Sequence, residues 1–307
     1  MADSGDMGAD GMPQGFDISR QSLNVINVEM DYKKNWEQLF FLCSDVHFDN
    51  PDCDRKLFKK HLDKAVQEGA GILINGDFFC LMEGRSDPRS AKKIRKEHLG
   101  ANWLDNIIED AADFLAPYAA NLIMIGVGNH ESAILKRSET NVIERLCALL
   151  KYKTGQPVYN GQYSGFIRFM FKFKTVGGFY GGRMSKILHY HHGWGGSSNM
   201  TKGVNKHVQR LSFVPDADFH WMGHTHQEYV INHQRLRLTQ KGKIYQDECL
   251  IINTSTYKDE FKGGAMGWAN EKGISPKRKG GLFLRFYYDQ TDKTDRKPIK
   301  AEVFRAK

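Results

Sequence analysis

Five short segments hold most of the side chains able to grip a metal ion: Asp45-Val46-His47, Gly76-Asp77, Gly128-Asn129-His130-Glu131, His192-Gly193 and Gly223-His224-Thr225-His226. Carboxylate, amide and imidazole donors without thiolate suit Mn²⁺, Fe, Zn²⁺ or Ni²⁺, and the mixture makes Mn²⁺ the first expectation. Residues two apart on a strand or early loop point to one side, so Asp45 with His47, and His224 with His226, can share neighbouring ions. Asp77 follows the apolar run GILING and precedes Phe78 and Phe79. A carboxylate placed among buried neighbours costs several kcal/mol unless it is paired. Bridging two ions about 3.5–4 Å apart removes that cost. Each segment also has an ordinary structural explanation taken alone. Asp45 or Asp77 can cap a turn or helix, and Glu131 can be a first-turn acid.

These segments need a scaffold that brings them together, and the hydropathy pattern supplies one. Short apolar runs alternate with longer amphipathic segments from Gln38 onward. Strands are expected over Gln38–Ser44, Ala70–Asn75 and Asn121–Val127, with helices over Asp54–Glu68, 91–118 and Thr140–Leu150. Seven further strands are expected downstream, at Gly165–Lys174, Lys186–His192, Ala217–Met222, Glu228–Leu238, Lys243–Asn253, Gly281–Asp289 and Ile299–Phe304. The chain thus begins as β-α-β-α-β and ends strand-rich, which implies an α/β fold of two packed sheets with helices outside them. Every candidate segment falls at the end of an expected strand, where ligands collect in open α/β sheets. Of the 12 histidines, His61, His98, His189, His191, His207, His220 and His233 read as packing or surface residues.

With 307 residues, 40% hydrophobic and 26% charged, the chain has the proportions of a globular protein able to bury a core without disulfides. Residues 1–20 are rich in Gly and Asp and are expected to be a flexible tail, leaving 21–307 as a single domain. Five scattered cysteines with no C-x-x-C pair read as reduced, buried thiols. No run approaches the ~18 apolar residues of a membrane span, and no secretory start is visible, so a cytoplasmic location without membrane contact is expected. The net charge of +8 favours polyanionic partners.

The five segments, in this order and with this spacing of strands and helices, resemble the signature of the calcineurin-like metallophosphoesterase superfamily over about Phe40 to Asn253. The GWGGSSNMTKG stretch after His192 resembles phage-encoded members. The resemblance implies a four-layer αββα sandwich, two mixed β-sheets flanked by helices, with a dinuclear metal centre at one edge. It places one metal on Asp45, His47, Asp77 and His226, and the second on Asp77, Asn129, His192 and His224, with Asp77 bridging. His192 matches because, in its local histidine cluster, it alone precedes glycine. His130 matches the histidine that contacts phosphate and protonates the leaving oxygen. The implied chemistry is attack on a phosphate ester by a hydroxide shared between the two ions.

Substrate choice rests on thinner signals. Protein phosphatases of the superfamily continue G-D as G-D-x-x-D-R-G, whereas Asp77 is followed here by FFCLMEGR. Basic clusters at Arg85–Lys96, at Lys202, Lys206, His207 and Arg210, and at Lys277-Arg278-Lys279 favour phosphodiesters of DNA, RNA or nucleotides. Arg85, Lys202 and Asn129 are the candidate substrate contacts, and Trp194 and Trp268 are candidate stacking surfaces. A small-molecule phosphomonoesterase and a non-catalytic scaffold of the same fold are the alternatives.

Overall fold

The computed structural model describes residues 15–81, 94–174, 180–196, 198, 200–261, 273–289 and 298–307. The chain runs through β1 (Asp17–Ser22), β2 (Val25–Tyr32), β3 (Glu37–Cys43), α1 (Arg55–Gln67), β4 (Gly71–Ile74), α2 (Trp103–Leu115), β5 (Leu122–Ile125), α3 (Asn129–Ser138), α4 (Val142–Thr154) and β6 (Tyr159–Asn160). It continues through β7 (Ser164–Lys174), β8 (Tyr180–His191), α5 (Val204–Phe213), β9 (Phe219–Met222), β10 (Tyr229–Leu238), β11 (Ile244–Asn253), β12 (Leu282–Tyr288) and β13 (Ile299–Arg305).

Two mixed sheets result. One has seven strands in the order β1-β2-β7-β8-β9-β11-β10, and the other has six in the order β13-β12-β3-β4-β5-β6. Between them lies an aromatic-rich core in which Phe40 sits 4.7 Å from Phe169 and Phe169 sits 4.8 Å from Phe286, ring centre to ring centre. The outer face of the six-stranded sheet is covered by α1, α2 and α4, and that of the seven-stranded sheet by α5 over Cys249 and Ile251. These are the four αββα layers expected.

Local sequence explains the elements that carry the site. In α1, Phe58, His61, Leu62 and Ala65 recur at helical spacing and are buried, while the Asp54 side chain accepts from the Leu57 N–H to close the first turn. β4 and β5 are short, wholly buried runs, GILI and LIMI, as parallel strands covered on both faces must be. Because β3, β4 and β5 are mutually parallel, their carboxyl ends share one edge. In the other sheet β8, β9 and β11 are also parallel.

Three differences from the sequence expectation stand out. Ordered structure begins inside the expected 1–20 tail: β1 pairs with β2, and Phe16 packs 5.5 Å from Phe40. Residues 1–14 lie outside the described residues. β2 was hidden because its buried residues Ile26, Val28, Met30 and Tyr32 alternate with polar ones, without the continuous apolar run of β3. The expected long helix over 91–118 contracts to α2 with a short 3₁₀ turn on each side. All five cysteines are free and buried, and no helix among the described residues is long and apolar enough to cross a membrane.

Candidate metal centre

The loops after β3, β4, β5, β8 and β9 meet where the two sheet edges face one another. Backbone bonds tie them together: Asp45 N–H to Gly76 O (3.0 Å), His47 N–H to Asp77 O (3.1 Å) and Gly223 N–H to His192 O (3.0 Å). The Ser44 hydroxyl reaches Thr254 Oγ1 of the other sheet at 2.7 Å, and the His224 N–H donates to Asp45 Oδ2 at 2.9 Å.

The loops turn sharply. Asp45, His47, Asp77, His224 and His226 all have positive φ, between 46° and 65°. Left-handed backbone at non-glycine residues costs on the order of 1–3 kcal/mol each, and it persists where surrounding structure enforces it. It is this turned backbone, not the strand alternation expected from the sequence, that brings Asp45 beside His47 and sends His226 to join them while His224 joins Asp77 and His192. Gly128 is required by close approach, since a Cβ there would lie 2.0 Å from Asp77 Oδ1. Gly76 combines φ +75° with a Cβ direction blocked 2.6 Å away by His192 Nδ1.

Four groups of three potential donors form among the described residues, including His47, Cys80 and His130 and, apart from the centre, Glu97, His98 and Asp110; the other two are built wholly from candidate ligands. Asp45, His47 and His226 make one, and Asp77, His192 and His224 the other. In the first, His226 Nε2 is 3.2 Å from Asp45 Oδ1 and 3.3 Å from His47 Nε2. In the second, His192 Nε2 is 3.2 Å from Asp77 Oδ2 and 3.3 Å from Asn129 Oδ1. Ligands bound at about 2.0–2.2 Å to one cation stand about 2.8–3.1 Å apart at right angles and about 3.3–3.6 Å apart at the tetrahedral angle, a range that brackets these spacings. The donor set therefore fits divalent metal. Two buried atoms strengthen that fit, because Asp45 Oδ1 and His47 Nδ1 have no hydrogen-bond partner among the described residues.

The far nitrogens of the imidazoles are held. His192 Nδ1 donates to the Asn75 carbonyl at 2.9 Å, His224 Nε2 to the Gly195 carbonyl at 2.9 Å, and His226 Nδ1 to Glu260 Oε1 at 2.8 Å. Each such bond fixes the tautomer and leaves the opposite nitrogen for a ligand. Burial lowers the proton affinity of His192, but Asp77 and then Asp45 outweigh it and push the imidazole up to about 10. Burial likewise opposes the charged form of His226, and Glu260 and Asp45 overturn it, to about 9. The pocket is built to attract positive charge.

His130 lies at the border of both triads. Its Nδ1 meets the Cys80 carbonyl at 2.5 Å, its Nε2 is 3.7 Å from Asp77 Oδ2, and its ring centre is 5.0 Å from that of His47. Glu131 is not the surface acid its helix position allows. It is buried and accepts the N–H groups of Gly128 (2.8 Å), Phe79 (2.9 Å) and Asp77 (3.2 Å), which locks two loops together. Burial, then the neighbouring Asp77 charge, raises its carboxyl to about 8.

Seven candidate ligands and His130 are thus brought together, and of the expected substrate contacts Asn129 is among them, 3.3 Å from His192 Nε2. Arg85 and Trp268 lie outside the described residues. Lys202 is exposed on the turn before α5, and none of its described contacts reaches the cluster. Lys206 clamps carbonyls instead, including Gly195 (2.9 Å) and Gly196 (2.7 Å), which braces the loop that orients His224. His207 is buried. Lys277 pairs with Glu260 at 3.4 Å, and Lys279 with Asp54 at 2.7 Å. Glu260, 34 residues after His226, was not singled out from the sequence; no motif surrounds it.

No protein-family model matches the chain, and no curated protein matches it. Among solved structures it is similar to Vps29 of Entamoeba histolytica complexed with zinc (11% identity, 88% of this chain and 100% of that one, TM-score 0.35). It is also similar to a metallophosphoesterase from Sphaerobacter thermophilus (12% identity, 88% and 90%, TM-score 0.35) and to GAP50 of Plasmodium, an inner-membrane-complex anchor (12% identity, 88% and 89%, TM-score 0.40). At these identities and overlaps the likenesses carry no argument about activity, and the reading of the site stands on its own atoms.

Proposed function

We propose that this chain is a metal-dependent phosphoesterase that hydrolyses phosphodiesters of nucleic acid or nucleotides, using two divalent ions, with manganese the first choice. The observation that carries the reading is the pair of donor triads, with spacings of 3.2–3.3 Å about His226 and about His192 and with the outer nitrogens of His192, His224 and His226 already engaged. Asp45, His47, Asp77 and His226 would hold one ion, and Asp77, Asn129, His192 and His224 the other. When bound, such ions supply Lewis acidity toward phosphoryl oxygens and make water nucleophilic near neutral pH.

The chain's own residues do the rest. Asp77, 2% exposed, lies 3.2 Å from His192 Nε2 in the second triad, and its carboxylate would also serve the first ion. With Nδ1 occupied by the Cys80 carbonyl, the nitrogen through which His130 would hand a proton to a departing alkoxide is Nε2, 3.7 Å from Asp77 Oδ2. Loop-to-loop bonds from Glu131 keep this geometry fixed, so positioning is built in before substrate arrives.

The test is hydrolysis of a bis-aryl phosphate, a mono-aryl phosphate and single-stranded DNA with Mn²⁺ present, together with metal analysis of the purified protein. Diester cleavage with about two ions per chain is expected. Cleavage of the monoester alone shifts the assignment to phosphomonoesterase, and a protein that takes up no metal removes the catalytic reading.

A further inference from the structure

A groove of about 450 Å³ opens directly from the candidate centre, lined by Asn129, Ser132, Ala133, Lys136, Arg137 and Tyr163. Five of these residues belong to α3 at positions i, i+3, i+4, i+7 and i+8, which is one face of a helix. The floor is low because Ser132 and Ala133 are small. One wall is Tyr163, whose hydroxyl donates to the Gly193 carbonyl at 2.7 Å and whose ring stands edge-on to His192, 5.6 Å between centres. The aromatic wall is therefore held in place by the same loop that carries a candidate ligand.

The groove has a direction. It begins at the Asn129 amide, 3.3 Å from His192 Nε2, and ends at two exposed cations in the last turn of α3. No acidic side chain lines it among the described residues. Seven residues of helix span about 10 Å, the distance covered by two to three nucleotides of stacked strand at roughly 3.4 Å each. A small ester seated on the metals would not extend that far, whereas a polynucleotide would.

We infer that the Asn129-to-Lys136 face of α3 is a subsite for the single-stranded nucleic-acid backbone flanking the scissile phosphodiester, with Lys136 and Arg137 contacting phosphates and Tyr163 bordering the bases. This rests on the phosphodiesterase reading and names its substrate class. Among the described residues of the basic clusters noticed in the sequence, Lys206, Lys277 and Lys279 are engaged in internal contacts; Lys136 and Arg137 belong to none of those clusters.

Two measurements keep the subsite and the parent reading separate. Anisotropy of a fluorescein-labelled single-stranded 12-mer in EDTA reads binding without catalysis. Replacing both cations (Lys136→Ala with Arg137→Ala) should weaken binding about tenfold at low salt and flatten the slope of log Kd against log salt by about 1.4, at roughly 0.7 per lost phosphate contact. Lys241→Ala, on the distant β10–β11 turn, should leave both values alone. Absence of wild-type binding, or equal binding by the double variant, overturns the subsite whether or not the protein hydrolyses anything. In the Mn²⁺ assay, the ratio of kcat/KM on the 12-mer to that on the bis-aryl ester should fall about tenfold in the double variant. An unaltered ratio also overturns the subsite. A wild type inactive on every ester overturns the phosphodiesterase reading, while the binding experiment still decides what the groove does.

Discussion

Two groups of buried histidines in this molecule, one at the candidate centre and one about α5, differ in one respect that matters. Around Asp45 and Asp77 the imidazoles face carboxylates, with His47, His224 and His226 on turned, left-handed backbone; the carboxylates outweigh burial at His192 and His226, while burial keeps His47 and His224 low. Beneath α5, His189, His207 and His220 sit on regular helix and strand. His189 is 5.1 Å from His220 ring to ring, and His207 Nε2 donates to Asn253 Oδ1 at 3.2 Å. Burial is the leading cause of their shifts, lowering His189 to about 3 and His207 to about 4. The same side chain is a candidate ligand in one region and a neutral packing group in the other. What separates them is the carboxylate, and the loop geometry that aims both toward a common point.

The sharpest way to break this comparison is to remove the shared carboxylate. Asp77→Ala should abolish metal retention at both positions and lower turnover by more than about 10⁴-fold, the outcome expected of the bridging role proposed for it. His207→Ala, equally buried, should lower thermal stability while leaving metal content at the wild-type value. Elemental analysis alongside a melting curve separates the outcomes, and comparable metal loss in both variants would contradict the division drawn here.

His130 sharpens the contrast within the candidate site. It touches the cluster without being one of the assigned ligands, so His130→Ala should reduce turnover about 10²–10⁴-fold while both ions stay bound. If metal content falls together with activity, His130 is a ligand and the role assigned to it is wrong.

The sequence made the candidate metal centre readable because each candidate ligand sits near the end of a strand with its own apolar signature, as in GILING before Asp77 and NLIMIGV before Gly128. The direction of the side chains was not readable. Strand alternation predicts the right neighbours for Asp45 and His47, yet the structure reaches that result through φ values of 52° and 51°. α5 was concealed by its own charge, since Lys206 and Arg210 read as a basic patch although His207 and Leu211 form a buried stripe. Glu260 had no local signal, because its partner His226 is supplied entirely by tertiary structure.

Glu260 tests whether orientation or charge matters more in the carboxylate-rich region. Glu260→Ala frees His226 Nδ1 and should weaken metal affinity about 10–100-fold, the usual cost of losing a bond that orients a ligand. Glu260→Gln keeps an acceptor for Nδ1–H and should recover most of the loss. Calorimetric titration with Mn²⁺ checks both. If the two variants are equally impaired, charge is the deciding factor rather than the fixed tautomer.

The smallest effect is expected in the carboxylate-free region, where it appears as pH-dependent stability. His207 has a folded pKa of about 4 against roughly 6.5 in the unfolded chain, because burial, together with neighbouring His220, disfavours its charged form more than the Asn253 contact restores it. Between those values the unfolded state binds more protons, so stability is complete above about pH 6.5 and is lost as pH falls toward 4. By pH 5.5 this single group should cost about 1 kcal/mol. His207→Gln retains a donor for Asn253 Oδ1 and does not titrate in that range. The drop in unfolding free energy from pH 7 to pH 5.5 should therefore be about 1 kcal/mol smaller in this variant than in the wild type, as read from urea titrations at the two pH values. Groups elsewhere titrate identically in both proteins and cancel in the difference, so identical drops would show that His207 is already protonated in the folded chain and that burial without a carboxylate does not keep an imidazole neutral here.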